Sequence, residues 1–240
     1  MGKIKHRLHI VVLLALTFLA AGCGGLETPF ISPEDIIARS ASRMAAHTGF
    51  EFLVQRTGEP VFLDLEETIS FRRAEGQFLS PDQAHAKVRV ITPGLVSEVE
   101  IISIGDSQWE TNLLTGQWQP SDPIYSFNPS LLFNPEKGIP VILARELTGP
   151  TLLGLEELPE IPGKDLYKLG AALQGATAYQ MTFGMIDNEN LSLNLWIDPD
   201  TFDLYRVVLV DPADAADKED TIWQIDFWNF DGAFDIKPPY

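Results

Sequence analysis

The stretch Leu191-Ser192-Leu193-Asn194-Leu195-Trp196-Ile197, followed by the turn Asp198-Pro199-Asp200 and then by Leu204-Tyr205-Arg206-Val207-Val208-Leu209-Val210, carries the clearest fold signal in the chain. Both arms are rich in large apolar and β-branched residues, and the turn residues between them suit a reversal, so a pair of antiparallel strands is expected. The same period-two pattern recurs outward from this hairpin. Phe50, Phe52 and Val54 alternate with Glu51, Leu53 and Gln55, and Ala86, Val88 and Val90 alternate with Lys87, Arg89 and Ile91. Thr68-Ile69-Ser70-Phe71 leads toward Phe78, Leu95–Ile104 is bounded by Gly94 and Gly105, and Gln108–Asn112, Thr177–Phe183 and Ile222–Phe230 complete the set. These segments predict a large, mostly antiparallel sheet.

Helical signals are fewer. Ser32-Pro33-Glu34-Asp35 combines a capping hydroxyl, a proline that needs no amide partner and two acids at the positive helix end. Ile36, Ile37, Ser40, Ala41 and Met44 continue a mainly apolar face to about Ala46. Gly138–Leu147 predicts a short helix, and Leu152–Leu158 a further one. Pro120–Pro135 reads as an ordered loop, because Tyr125, Phe127, Leu131, Leu132 and Phe133 would be costly to leave solvated together. Helices therefore cover one side of the sheet. No repeated module or low-complexity tract is present.

The N-terminus carries an address. Lys3, Lys5 and Arg7 precede an apolar run, Ile10 to Ala21, that is too short to span a bilayer but suits a secretory signal. Ala20, Ala21 and Gly22 then lead into Cys23, the only cysteine in the chain. The segment resembles a lipobox, although the usual leucine would stand at position 20 and the nearest here is Leu19. Residues 1–22 are expected to be a signal peptide, Cys23 the lipidated first residue, 23–30 a tether and 31–240 a single domain. More than one acyl chain makes such an anchor stable. A single cysteine leaves no intrachain disulfide, so the exported domain depends on its core.

The whole chain has 17 basic and 34 acidic residues. Without Lys3, Lys5 and Arg7 the balance is 14 to 34, a formal charge of −20. That field opposes nucleic acid, and no basic face is visible to offset it. The residues left after Gly22 suffice for one domain with a substantial core, and no Ser/Gly-rich linker divides them.

Motifs for catalysis are missing. His6 and His9 leave with the signal peptide, and His47 and His85 have no metal-ligand spacing around them. The acidic turn 211–220 lacks the glycine and spaced ligands of a calcium loop. Gly170-Ala171-Ala172-Leu173-Gln174-Gly175 has no Lys-Ser/Thr ending for phosphate, and no Gly-x-Ser-x-Gly elbow occurs. No enzyme, no metal and no cofactor are expected.

Several segments in order resemble those of a known family. They are the capped helix ending before Thr48-Gly49-Phe50, the segment Phe71-Arg72-Arg73-Ala74-Glu75-Gly76, the strand before Gly105, and Gln117-Trp118. The proline-bounded stretch Phe127-Asn128-Pro129-Ser130-Leu131-Leu132-Phe133-Asn134-Pro135 follows. Leu195-Trp196-Ile197-Asp198 with Leu204-Tyr205-Arg206-Val207 forms the late hairpin. From roughly Phe30 to Pro238 the chain resembles the LppX/LprAFG family of bacterial lipoproteins, which is similar in fold to the LolA/LolB lipoprotein carriers. The resemblance implies an α+β fold in which a large curved antiparallel sheet forms a half-open barrel covered on its concave side by helices. It also implies an apolar cavity that carries acylated lipids or glycolipids at the cell envelope, with no catalytic set.

Alternation and apolarity, rather than the family, nominate the wall residues: Phe52, Val54, Ile69, Phe71, Val88, Val90, Val99, Ile101, Tyr179, Met181, Phe183, Leu193, Leu195, Val207 and Leu209. The expected partners are the membrane through acylated Cys23, a lipid or glycolipid cargo and a membrane transporter. The expected location is the outer face of the cytoplasmic membrane, or an outer membrane if the cell has one. The alternative is a structural or protein-binding envelope lipoprotein whose interior is filled.

Overall fold

The computed structural model describes residues 31–240, apart from 65, 122–126, 183, 187–189, 214 and 216. Cys23, Tyr125 and Phe183 lie outside the described residues. Eleven strands form one sheet: β1 (Gly49–Thr57), β2 (Ser70–Leu79), β3 (Gln83–Thr92), β4 (Leu95–Ile104), β5 (Ser107–Thr111), β6 (Trp118–Ser121), β7 (Leu147–Glu157), β8 (Asp165–Gln174), β9 (Asn190–Ile197), β10 (Leu204–Asp211) and β11 (Thr221–Trp228). Their order is β6-β5-β4-β3-β2-β1-β11-β10-β9-β8-β7, and every pairing is antiparallel. Two meanders thus run outward from a central seam, where β1 meets β11. β6 and β7 are the two ends of the sheet, which does not close on itself.

The helices are α1 (Pro33–Ala46), α2 (Pro129–Phe133), α3 (Ile139–Arg145) and α4 (Gly175–Met181). Ser32 caps α1 by accepting from the Asp35 amide at 3.1 Å, and Ile36, Ile37, Ser40, Ala41 and Met44 are its buried face. α2 and α3 lie in the long crossover between β6 and β7, and α1 packs against α3. None of the helices among the described residues is long and apolar enough to cross a membrane.

Register lines up the inward residues. One row runs Leu169, Leu195, Val207, Ile225, Val54, Ala74, Val88 and Val99 across eight strands. A second runs Phe227, Phe52, Gly76, Ala86 and Ile101. Gly76 has no room for a side chain: a Cβ there would stand 2.1 Å from the His85 carbonyl oxygen. The period-two pattern thus places one apolar face of the sheet toward the helices.

Two segments differ from the sequence expectation. Thr177–Phe183 reads as a strand, but Gly175–Met181 is helical, and Tyr179 is 53% exposed on it. Ala178 and Met181 stand three apart and both face inward, a helical spacing, and Gly184 at φ +82° ends the turn by donating to the Tyr179 carbonyl at 2.9 Å. Leu152–Leu158 reads as a helix, since leucine is a strong helix former, yet Leu147–Glu157 is edge strand β7. Two register shifts, between Thr148 and Thr151 and between Leu152 and Gly154, scramble its alternation. β6 and β8 were not foreseen. The small residues Gly170, Ala171 and Ala172 hide the strand character of β8.

Candidate functional site

Between the concave face of the sheet and the helices lies a cavity of about 190 Å³. β1, β2, β3 and β4 supply Phe52, Val54, Phe71, Ala74, Ala86, Val88 and Ile101 to one wall. β9, β10 and β11 supply Leu193, Leu195, Val207, Leu209, Trp223 and Ile225. The helical side presents Pro129, Leu132, Ile139, Ile142, Leu143, Ala178 and Met181. Thr182 is the one hydroxyl among the wall residues, and it is spent internally: it donates to the Ala178 carbonyl at 2.8 Å and accepts from the Ile186 amide at 3.2 Å. Among the described residues no charged side chain lines the walls. Such a surface shields apolar matter from water.

One end is sealed by aromatic rings. Phe133, at the end of α2, lies 4.4 Å centroid to centroid from Phe52, 5.4 Å from Phe50, 5.7 Å from Phe78 and 6.0 Å from Phe227. Local sequence puts it there: Asn128 caps α2 by accepting from the Ser130 amide at 3.0 Å, and Pro129 opens the helix. On β5, Gln108 donates to the Phe127 carbonyl at 3.2 Å and fixes the approach to the cap.

The opposite end is the mouth, where Leu63 is 45% exposed and Met185 is half-buried. A separate polar hollow of about 540 Å³ borders it and shares Met185. Glu59, Glu67, Lys218, Glu219 and Thr221 are among the residues that line this hollow. β11 runs from one into the other, with Thr221 at the hollow and Trp223 and Ile225 in the apolar wall.

Arg56 is a buried charge near the mouth, directly across from Trp223 in the β1–β11 register. Its guanidinium donates to three main-chain carbonyls, those of Phe71 (2.8 Å), Gly58 (2.9 Å) and Glu59. Burial and then repulsion from Arg72 lower its pKa, against an upward pull from Glu59.

Other charges cluster away from the walls. Lys164 pairs with Asp198 in the β9–β10 turn, whose carboxylate also accepts from the amides of Asp200 (2.7 Å) and Thr201 (3.1 Å). Burial alone would raise the Asp198 pKa; Lys164 and the two amides outweigh it and hold the carboxyl below its ordinary value. For Lys164, burial works downward, but the bonds to Asp198 and Tyr205 prevail and raise it. His47 lies between Asp203 and Asp231, which Arg43 also bridges, and His85 pairs with Glu100 at 2.9 Å. Neither histidine is a wall residue. Among the described residues no group of His, Cys, Asp and Glu is arranged to hold a metal ion.

The family model for LppX/LprAFG lipoproteins matches residues 32–236. The chain belongs to the LppX/LprAFG lipoprotein family. LprF from Mycobacterium bovis is 15% identical and superposes with a TM-score of 0.64 over 86% of this chain and 96% of that one. LppX, a lipoprotein from Mycobacterium tuberculosis, is 15% identical with a TM-score of 0.59 over 85% and 98%. At this identity the likeness is one of fold, and it covers nearly the full length of these family members. No curated protein matches the chain in sequence.

Of the nominated wall residues, the structure brings together Phe52, Val54, Phe71, Val88 and Ile101 on one side and Met181, Leu193, Leu195, Val207 and Leu209 on the other. Ile69, Val90, Val99 and Tyr179 are not among the wall residues. Val90 is buried opposite Phe71, Val99 is half-buried opposite Val88, and Ile69 precedes β2. Trp223 and Ile225 were missed, although their alternation with Gln224 and Asp226 carries the same signal. Apart from Met181, the helical wall was missed because its residues follow no period-two pattern.

Proposed function

We propose that this lipoprotein, exported and anchored to the outer face of the cytoplasmic membrane (or to an outer membrane) through acylated Cys23, binds and transports acylated lipids or glycolipids. One observation carries the reading: a cavity that the described residues wall with apolar side chains opens beside a polar hollow. That pairing suits an amphiphile, with chains inside and headgroup at the rim. Each methylene moved from water into such walls contributes about 0.8 kcal/mol, so long chains need no charged contacts. Handing cargo to a membrane transporter completes the proposal.

The volume sets a condition. About 190 Å³ falls below the roughly 300–1,000 Å³ of ligand sites, so a lipid with two or more chains enters only as the walls part. Short α4 and the Thr182–Ile186 segment, which bring Met181 and Met185 to the cavity, are the elements to give way. The same small volume also favours the second reading, a structural or protein-binding lipoprotein with a filled interior.

The test is native lipid extraction and mass spectrometry on the full chain carrying Cys23→Ser, so that its own acyl groups do not intrude. One or a few multiply acylated lipids in stoichiometric amount are expected, with transfer between donor and acceptor vesicles. A well-folded protein that carries no lipid and moves none of a panel of phospholipids, glycolipids and triacylglycerols gives the result to the second reading.

A further inference from the structure

The indole of Trp223 is 6% exposed and forms part of the cavity wall, stacked on Phe71 with centroids 5.5 Å apart. Its Nε1 is buried and has no hydrogen-bond partner among the described residues. The contrast with Trp196 on the convex face is direct: there Nε1 donates to Glu156 at 3.2 Å. Buried donors in folded proteins are almost always satisfied, and an exception calls for a reason. An apolar aromatic ring such as phenylalanine would leave no unmet donor there.

Position supplies the reason. Thr221, two residues earlier on the same face of β11, borders the polar hollow, and Ile225, two residues later, lies in the apolar wall. Trp223 therefore stands at the junction, about 7 Å along the strand from each. In an acylated lipid the group between headgroup and chains is an ester or amide; its carbonyl oxygen accepts hydrogen bonds, and only the amide, through its N–H, has one to donate. The buried Arg56 guanidinium on the facing strand adds positive potential that favours an oxygen acceptor there.

We propose that Trp223 Nε1 donates a hydrogen bond to a carbonyl oxygen of the cargo's acyl linkage, so that the cavity selects acylated molecules over plain hydrocarbon. This rests on the lipid-binding reading of the cavity and narrows it. Phe71 holds the ring in place, and the donor meets its acceptor only when cargo is bound.

The probes are methyl palmitate, which has the ester, and heptadecane, which has similar length and no acceptor. With the full chain carrying Cys23→Ser, nitrogen-edited NMR follows the Trp223 indole proton, assigned through its contacts with Phe71. Methyl palmitate is expected to move that proton downfield and heptadecane to leave it without a hydrogen-bond shift. Trp223→Phe is expected to weaken methyl palmitate about five- to tenfold more than heptadecane, the factor of one net hydrogen bond. Binding of both probes with no downfield shift, or equal loss of both in Trp223→Phe, overturns the Trp223 assignment and leaves the cavity reading standing. Failure of both probes to enter the unsubstituted protein overturns both readings. The indole measurement decides the matter even where Trp223→Phe fails to fold.

Discussion

His47 Nε2 lies 3.0 Å from Asp203 Oδ1, joining the end of α1 to the residue just before β10. The imidazole is fully buried, its Nδ1 meets Asp231 at 3.0 Å, and its ring stacks on Phe230 at 4.6 Å. Helix, late hairpin and C-terminal segment are thereby fastened at the end of the barrel farthest from the mouth. Removing one partner of a buried charged cluster leaves the others uncompensated. His47→Ala is expected to cost about 3 kcal/mol in denaturant unfolding, the low end for such a loss because Arg43 still reaches Asp203. Lipid bound per folded molecule should be unchanged, and a selective loss of binding would contradict the purely structural role.

The Asp198–Lys164 pair makes stability depend on pH at both extremes. The Asp198 pKa is depressed in the fold, so its contribution is complete above the unfolded value of about 3.9 and is lost as pH falls through the lower folded value. The Lys164 pKa is raised, so its contribution is complete below about 10.4 and is lost as pH rises through the higher folded value. Thermal unfolding from pH 2 to 12 should show a plateau between these limbs. Asp198→Asn should shrink both limbs and cost about 1–3 kcal/mol on the plateau.

Filling the cavity separates lipid binding from core packing. Ala86 is 1% exposed and lies on the wall opposite the helices. Ala86→Leu is expected to keep or raise stability, by up to about 1 kcal/mol, because its added methylenes enter existing space. Lipid retention and vesicle transfer should fall together. A charge at Leu195, which is wholly buried, would reduce retention by unfolding the domain and is the poorer probe.

Loading should leave a footprint in amide exchange. If cargo widens the cavity at α4, residues 175–186 exchange quickly without lipid and slow down several-fold with it, while the β1–β11 seam changes little. Equal protection of both regions in the two states would count against a moving wall.

Replacing Cys23 with Ser is expected to release soluble protein or leave an unprocessed precursor. Fractionation of cells into membrane and soluble pools reads this directly. Membrane retention of a processed form would remove the acyl anchor from the proposal.

Sequence periodicity was a good guide where strands carry one apolar face. Phe52, Val54, Val88, Leu193, Leu195, Val207 and Leu209 all come from uninterrupted alternation, and all stand on the cavity wall. It failed where geometry interrupts the period. β7 bends through Gly149 and Gly154, both at positive φ, and its leucines look helical as a result. α4 is only seven residues long, too short for its Ala178–Met181 spacing to outweigh the β-like Thr-Ala-Tyr-Gln-Met-Thr-Phe composition. Val90 and Val99 obey the alternation and pair with the wall residues Phe71 and Val88, but alternation does not encode which members of an inward row reach the cavity. The helical wall depends on the crossover folding back, a long-range event that leaves no local pattern.

The seam between β1 and β11 also dictates when this protein can become itself. Phe52 pairs with Phe227, so the two halves of the sheet are joined by contacts that span most of the chain. Closing so long a loop is entropically slow and is rewarded only at the end. A chain threaded through a secretion pore N-terminus first must therefore wait until its last strand has emerged before the barrel wall can form. Until then β1 has no partner on one side, and its apolar face stays exposed to aggregation.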